Sequence, residues 1–412
     1  MWYNYNVCKG KKTGGNNMLK PFSNKVAGLA PSAIREILKF TADPEVISFA
    51  AGNPASEAFP VDTIAKLSAE IFATEPVNAL QYSVTEGYMP LRKWLESDLR
   101  SKDMFAENDM VIVTAGAQQA IEVTAKILCN EGDVILCEDP SFIGSLNAFR
   151  SYGVRLVGVA ADKDGIIPER LEEALKAEPN TKFLYTIPNF QNPTGNTTTL
   201  ERRKAVLELA KKYGIYILED NPYGDLRFAG TPVPSFKSLD TTNNVLYAGT
   251  FSKVLAPGLR VGYLCGVAEL VQKAVVGLQT STVHTNIWAQ MLAYKFVTTV
   301  DFGEHLKHLQ GVYRAKYKRM ADALHAEMPD CVTYSEPEGG LFIWATIPEK
   351  YDMNAFCTEA VHQKVAVVPG NAFLADENGV SHSFRLNFST PTNEQIDKGV
   401  DILSKCAKEF FK

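Results

Sequence analysis

The sequence predicts an α/β fold: a mostly parallel central sheet flanked by helices, followed by a smaller α+β domain. Three observations carry this. Between residues 110 and 267, short apolar runs alternate with amphipathic stretches of helical period. Polar segments rich in glycine and proline fall at the carboxyl ends of those runs, where ligands sit in a parallel α/β sheet. Past residue 300 the alternation stops, and a long polar helix leads into shorter strands.

In chain order, residues 1–17 (MWYNYNVCKGKKTGGNN) have no periodicity and read as a disordered leader. Met18 is the expected true start, against the alternative that residues 1–17 are a genuine disordered tail or a tag. In a bacterial source, Thr13-Gly14-Gly15 can be encoded as ACA-GGA-GGU, a purine-rich ribosome-binding sequence just ahead of Met18. Residues 18–55 form an N-terminal arm and part of the small domain. Within it Ser32 caps a short helix, PSAIREILKF, with Arg35 one turn in, and VISFAAGNPASEAFP gives a strand and a Gly/Pro loop. Residues 56–300 form the large domain. Its strands are MVIVTAG, DVILCED, RLVGVA, KFLYTIP, GIYILED, NVLYAG and GYLCGV, with helices such as QQAIEVTAKILC and LERRKAVLELAKKY between them. Residues 301–412 form the small domain: the helix FGEHLKHLQGVYRAKYKRMADALHAEM, then EGGLFIWATI, VAVVPG and SFRLNFS.

Composition narrows the function classes. A chain of 412 residues holds two or three domains' worth of core. A net charge of −5 gives no general affinity for nucleic acid or anionic membrane. The seven cysteines show no CxxC or Cys/His metal spacing, which fits reduced, mostly buried thiols and a cytoplasmic protein. No apolar run spans a bilayer, and no HExxH, Walker A or GxGxxG motif occurs. His305 and His308, three apart on a helix, read as solvated rather than as a metal pair.

The chemistry concentrates in TFSKVLAPGLRVG (250–262), a polar loop between two apolar strands. A lysine in a mostly dry loop loses its proton readily and acts as an amine nucleophile. Thr250, Ser252 and Arg260 around Lys253 suit a phosphate dianion. Together they point to a lysine that forms a Schiff base with pyridoxal phosphate (PLP), against the alternative of a surface lysine with incidental neighbours. Asp220 ends an apolar run; it either caps the Asn221–Pro222 turn or meets a cationic partner such as a pyridinium nitrogen. Tyr223, three residues on, is placed to donate to the cofactor's phenolic oxygen. Asn192, before Pro193, is biased toward extended backbone and presents its amide to the same oxygen and to a substrate carboxylate. In TAGAQQAIE a glycine opens a helix, so the N–H groups of Ala117 and Gln118 suit a phosphate. Phe142 is either core or a ring stacked on the pyridine. Arg385, on an otherwise apolar strand, either grips an α-carboxylate or forms a structural ion pair.

The motifs AGNPASEAFP, LQYSVTEGYMPLR, YTIPNFQNPTGN, EDNPYGDLRF, TFSKVLAPGLRVGY, EGGLFIW and RLNFS together resemble the class I aminotransferases of PLP fold type I. The similarity covers about residues 19–410 and is greatest to the 2-aminoadipate, kynurenine and aromatic aminotransferases. The resemblance implies a homodimer that moves an amino group between an L-amino acid (glutamate, 2-aminoadipate, aromatic or branched-chain) and a 2-oxo acid, with ping-pong kinetics. It implies Lys253 as the Schiff-base lysine, Asp220 on the ring nitrogen, and Asn192 and Tyr223 on the phenolic oxygen. Thr250, Ser252, Arg260, Ala117 and Gln118 would hold the phosphate, joined by Tyr82 from the neighbouring subunit. Gly52 and Arg385 would face the substrate carboxylate, and Ser32 and Arg35 would help recognise substrate. Phe142 departs from the tyrosine of many relatives, keeping stacking and losing a hydroxyl. A PLP β-lyase or decarboxylase on the same scaffold is the nearest rival. A regulator with a winged DNA-binding domain is disfavoured by the roughly thirty residues before the first motif.

Overall fold

The computed structural model describes residues 23–27 and 43–412. The expected leader, Met18, Ser32 and Arg35 lie outside these residues. After a short strand, β1 (Ile47–Ser48), the chain builds a large sheet from β2 (Asp109–Thr114), β3 (Val134–Asp139), β4 (Arg155–Asp162), β5 (Gly165–Ile166), β6 (Thr181–Thr186), β7 (Tyr216–Asp220), β8 (Val245–Thr250) and β9 (Gly262–Val267). Their spatial order is β2-β9-β8-β7-β6-β3-β4-β5. The run from β4 through β3, β6 and β7 to β8 is parallel, whereas β9 is antiparallel to β8 and β2, and β5 is antiparallel to β4. The reversal at β9 follows from the connection. Only residues 251–261 separate β8 from β9, too few for the helical crossover that a parallel pair needs.

Strands β7 and β8 are buried along almost their whole length, as near-continuous apolar runs require when both sheet faces are covered. The helix Leu200–Tyr213 joins β6 to β7. It starts where Thr199 accepts from the Arg202 N–H and stops at Gly214, whose φ of 66° is the left-handed turn that ends helices.

A second, antiparallel sheet has the order β10-β11-β14-β13, from β10 (Thr333–Tyr334), β11 (Phe342–Thr346), β13 (Val368–Pro369) and β14 (Ser383–Asn387). The remaining strand, β12 (Val365–Ala366), pairs in parallel with β1. Phe49 N–H then donates to Ala366 O at 2.8 Å, and Asn387 N–H donates to Phe49 O at 2.8 Å. The N-terminal segment is thus stitched into the C-terminal part of the chain, which carries Gly52 toward the end of the large sheet. Among the described residues no helix is long and apolar enough to cross a membrane, and Cys137, Cys265, Cys357 and Cys406 are buried free thiols while Cys331 is exposed. His305 is not solvated as expected. It packs against Phe296 and Phe302 and meets Val254 O at 2.6 Å, because its helix turns this face inward.

The consequence for function lies in strand direction. Thr114, Asp139, Thr186, Asp220 and Thr250 end β2, β3, β6, β7 and β8 on one side of the sheet, and antiparallel β9 begins on that side at Gly262. A Cβ on Gly262 would lie 2.5 Å from the Gly116 carbonyl carbon and 2.7 Å from Ala117 N. Only glycine lets β9 start this close to the turn that opens the helix Ala117–Leu128. Gly262→Ala is expected to destabilise the protein by about 1–3 kcal/mol, seen as a lower midpoint in thermal unfolding; an unchanged midpoint would show that the turn yields freely.

Candidate active site

The loop after β8 is shaped by its own hydroxyls. Thr250 Oγ1 donates to Ser252 Oγ at 2.9 Å and accepts from Ser252 N–H at 3.1 Å. Arg260, which ends this loop, adopts a left-handed φ of 53°. That turn sends its guanidinium back, Nη1 to Ser252 Oγ at 3.4 Å and Nη2 to Ala115 O at 3.0 Å. A Cβ on Gly116 would collide with this guanidinium, so the glycine, at φ 76°, makes room for it. Gly116 caps the helix Ala117–Leu128 without any side-chain hydrogen bond, leaving the first N–H groups, those of Ala117 and Gln118 among them, without a side-chain cap. Thr250, Ser252, Arg260 and this helix start converge on one anion-sized cradle, and Arg260 forms no ion pair among the described residues.

Lys253 lies beside the cradle, and its Nζ donates to Gly52 O at 2.8 Å. Its desolvation, with the charges of Arg385 and Arg260 adding to it, lowers the ammonium pKa to about 8. Asp220, 2% exposed at the end of β7, accepts from the Tyr185 hydroxyl at 2.7 Å on Oδ2. Its Oδ1 is buried with no hydrogen-bond partner, and burial pushes the carboxyl pKa up to about 7. The structure does not use Asp220 as a side-chain cap for the turn that follows.

Arg385, on β14, is 2% exposed. Its Nη1 donates to Asn192 Oδ1 and its Nη2 to Ala50 O, each at 2.7 Å, while Nε has no partner. The guanidinium is stacked over Phe342 at 4.2 Å and Phe373 at 4.9 Å. No carboxylate pairs with it among the described residues, so it is not the structural ion pair that the sequence left open. Burial lowers its pKa to about 10. Asn192 Nδ2 reaches the Tyr223 hydroxyl at 3.5 Å, and Tyr223 packs edge-on against Phe342. Burial raises the Tyr223 pKa, so it stays a donor. Phe142 caps the helix Ile143–Arg150 just past β3, partly buried, with Gln118 Nε2 tied to the next turn at Gly144 O, 2.9 Å.

Tyr82 is not brought to this group. It is 82% exposed and lies edge-on to His284 at 5.9 Å. Three residues of the site were missed by sequence reasoning. Ser145 and Tyr185 stand behind Asp220. Glu138, fully buried, accepts from Thr186 Oγ1, Ile187 N–H and Gln191 Nε2 and so braces the loop that presents Asn192; burial raises its pKa to about 7. A paired acid at the end of an apolar run was the available signal for Glu138.

Residues 44–403 match the family described as "Aminotransferase class I and II". The chain belongs to this family. It is 39% identical over 398 residues to aromatic-amino-acid aminotransferase 1 of Thermococcus litoralis, covering 95% of each chain. It is 38% identical over 399 residues to the 2-aminoadipate transaminase of Thermus thermophilus, covering 95% of this chain and 98% of that one. The crystal structure of Pyrococcus horikoshii kynurenine aminotransferase superposes with a TM-score of 0.91 at 35% identity, over 95% of this chain and 98% of the other. The aminotransferase therefore has PLP fold type I, uses PLP, and moves amino groups between amino acids and 2-oxo acids.

The residues present fit that cofactor. A buried carboxylate oxygen without a partner suits a pyridinium N–H, an uncapped helix start beside an unpaired arginine suits a phosphate, and a lysine of depressed pKa suits a carbonyl carbon. A proton leaves native Lys253 at a lower pH than it leaves an unfolded lysine, so this group adds stability as pH rises from about 8 toward the ordinary lysine value. Capture of PLP by the apoprotein should accelerate with pH with a midpoint near 8. Borohydride reduction of the product should label Lys253; a midpoint near that of a free lysine, or a label on another lysine, would refute this.

Proposed function

We propose that Lys253 is the lysine that carries PLP, that Asp220 meets the ring nitrogen, and that Asn192 and Tyr223 donate to the phenolic oxygen. Phe142 stacks on the ring, and Ala117, Gln118, Thr250, Ser252 and Arg260 hold the phosphate. Arg385, with Gly52 and Asn192, receives the substrate α-carboxylate. The observation that carries this reading is a buried polar cluster that does not close on itself: Asp220 Oδ1 and Arg385 Nε are both buried without partners. A buried polar group without a partner calls for something to complete it, and a bound ligand is one such completion.

When bound, PLP supplies a carbonyl that condenses with amines and a ring that accepts the electrons of the bond being broken. Arg385 fixes the amino acid through two N–H groups, which orients its α-carbon. Lys253 Nζ, its pKa near neutrality, takes the proton from that carbon. Asp220 would hold a positive charge on the ring nitrogen. Phe342 and Phe373 keep water from the guanidinium and strengthen its grip on a carboxylate.

We further propose a cytoplasmic homodimer in which Tyr82 completes the partner's phosphate site, with a large domain at 56–300 and a small one at 301–412 completed by 18–55. The support is a run of exposed apolar side chains around Tyr82: Val77, Leu80, Val84 and Met89 are each more than half exposed. A Tyr82→Phe chain mixed with a Lys253→Ala chain should regain activity beyond the sum of the two parents, because one composite site then carries both lesions and the other carries neither. No gain on mixing would end the shared-site reading.

For substrate, we propose glutamate and 2-aminoadipate alongside aromatic or branched-chain amino acids, with 2-oxoglutarate as acceptor. The named relatives are an aromatic-amino-acid aminotransferase and a 2-aminoadipate transaminase, and the sequence resemblance to that group extends to Ser32 and Arg35. Arg385 holds the α-carboxylate, which leaves Arg35 for a distal one. Oxo-acid formation from glutamate, 2-aminoadipate, leucine and phenylalanine tests this. Arg35→Ala should lower kcat/KM for the two acidic substrates roughly tenfold more than for the apolar pair. Equal losses would show that Arg35 does not read the side chain, and no oxo acid from any of the four would overturn the assignment.

A further inference from the structure

Asp220 is held from behind by a two-step hydrogen-bond relay. Ser145 Oγ donates to the Tyr185 hydroxyl at 2.7 Å, and that hydroxyl donates to Asp220 Oδ2 at 2.7 Å. Each hydroxyl has one proton, and an ionised carboxylate only accepts, so the direction of both bonds is fixed. All three residues are buried to 2% exposure or less. The Tyr185 ring cannot swing its hydroxyl away: it sits on β6, in register with Cys137 of β3 and Leu218 of β7, and packs edge-on against Phe149 at 5.3 Å. The relay occupies Oδ2 and leaves Oδ1 as the free oxygen.

A pyridine nitrogen facing a carboxyl group shares one proton with it. The proton rests on nitrogen, giving an ion pair, or on oxygen, giving two neutral groups. A dry site favours the neutral arrangement, and a hydrogen bond donated to the carboxylate favours the ion pair. At Asp220, burial acts in the first direction and the Tyr185 hydroxyl in the second.

We infer that Tyr185, anchored by Ser145, is a positioning residue that keeps the shared proton on the cofactor's ring nitrogen by holding Asp220 ionised and turned toward it. This rests on the reading that Asp220 meets the ring nitrogen. The relay also reaches the ring's face. Ser145 N–H donates to Phe142 O at 3.0 Å, so the serine that orients Tyr185 lies in the first turn of the helix that Phe142 caps. One hydroxyl chain therefore ties the residue at the edge of the ring to the residue proposed to stack on it.

The test uses enzyme loaded with PLP whose ring nitrogen carries the heavy isotope, read by nitrogen NMR, beside steady-state kinetics. Wild type should show a pyridinium nitrogen at neutral pH. Tyr185→Phe keeps the ring packing and should move the signal toward neutral pyridine, lowering kcat roughly tenfold with KM little changed. Ser145→Ala should move it the same way by less, and it serves alone if Tyr185→Phe does not fold. In an Asp220→Asn background, adding Tyr185→Phe should shift the signal no further. A wild-type nitrogen signal in Tyr185→Phe, or in Ser145→Ala where only that variant folds, overturns the inference. If Asp220→Asn itself leaves the signal unchanged, the underlying reading of Asp220 has failed.

Discussion

The structure depends on keeping three desolvated ionisable groups apart. Asp220, Lys253 and Arg385 lie in one site, yet none pairs with another among the described residues. In a low-dielectric interior, opposite charges that can reach each other collapse into an ion pair, and an unpaired charge costs several kcal/mol. Each group is restrained from collapse by a neutral partner on a separate element: Tyr185 for Asp220, the Gly52 carbonyl for Lys253, and Asn192 with the Ala50 carbonyl for Arg385. The frustration appears in the titration behaviour. Burial drives Asp220 up to about 7, Lys253 down to about 8 and Arg385 down to about 10. In the roles proposed above, a cofactor with a cationic ring and a substrate with a carboxylate would remove that frustration.

The fold supplies the separation. Parallel strands end side by side on one edge, so residues distant in sequence meet there. Antiparallel β9 starts from that edge, and the loop leading into it sets Arg260 against the turn at Gly116. The N-terminal segment, joined to β12 and β14, lays Ala50 and Gly52 across the top. Lys253 and Arg385 thus each hydrogen-bond to a carbonyl of the same short stretch, and displacing that stretch would disturb both the proposed base and the proposed carboxylate clamp.

Much of this was legible in the sequence because a charge or amide at the end of an apolar run is conspicuous. Asp220, Asn192 and the loop around Lys253 stood out that way, Arg385 as a lone charge within an apolar strand, and the strands of the large sheet could be read from their alternation with helices. Tyr185 did not stand out. A tyrosine inside an apolar strand resembles core, and only the register with β7 shows that its hydroxyl reaches Asp220. Glu138 and Asp139 were visible as a pair, but a strand sends neighbours to opposite faces, and the sequence does not say which face meets the Asn192 loop. His305 was misread because helical spacing alone does not reveal which face Phe296 and Phe302 cover.

The opposed shifts of Asp220 and Lys253 also bear on how one site handles both halves of amino transfer. A group with its pKa far from the ambient pH gives or takes a proton only at a steep cost, whereas one poised near it does either. Burial moves both groups toward neutrality, the acid from below and the amine from above. The same desolvation that makes Asp220 reluctant to hold a negative charge makes Lys253 ready to lose a positive one. An aspartate left with burial alone would drift toward the neutral form and weaken its hold on a ring cation; the Tyr185 hydroxyl opposes that drift. Lys253 has no counterpart among the described residues: its hydrogen-bond contact is the neutral Gly52 carbonyl, and the charges acting on it are those of Arg385 and Arg260. The asymmetry lies in the restraint: Asp220 has a hydroxyl donor that favours its charged form, and Lys253 has no such partner among the described residues.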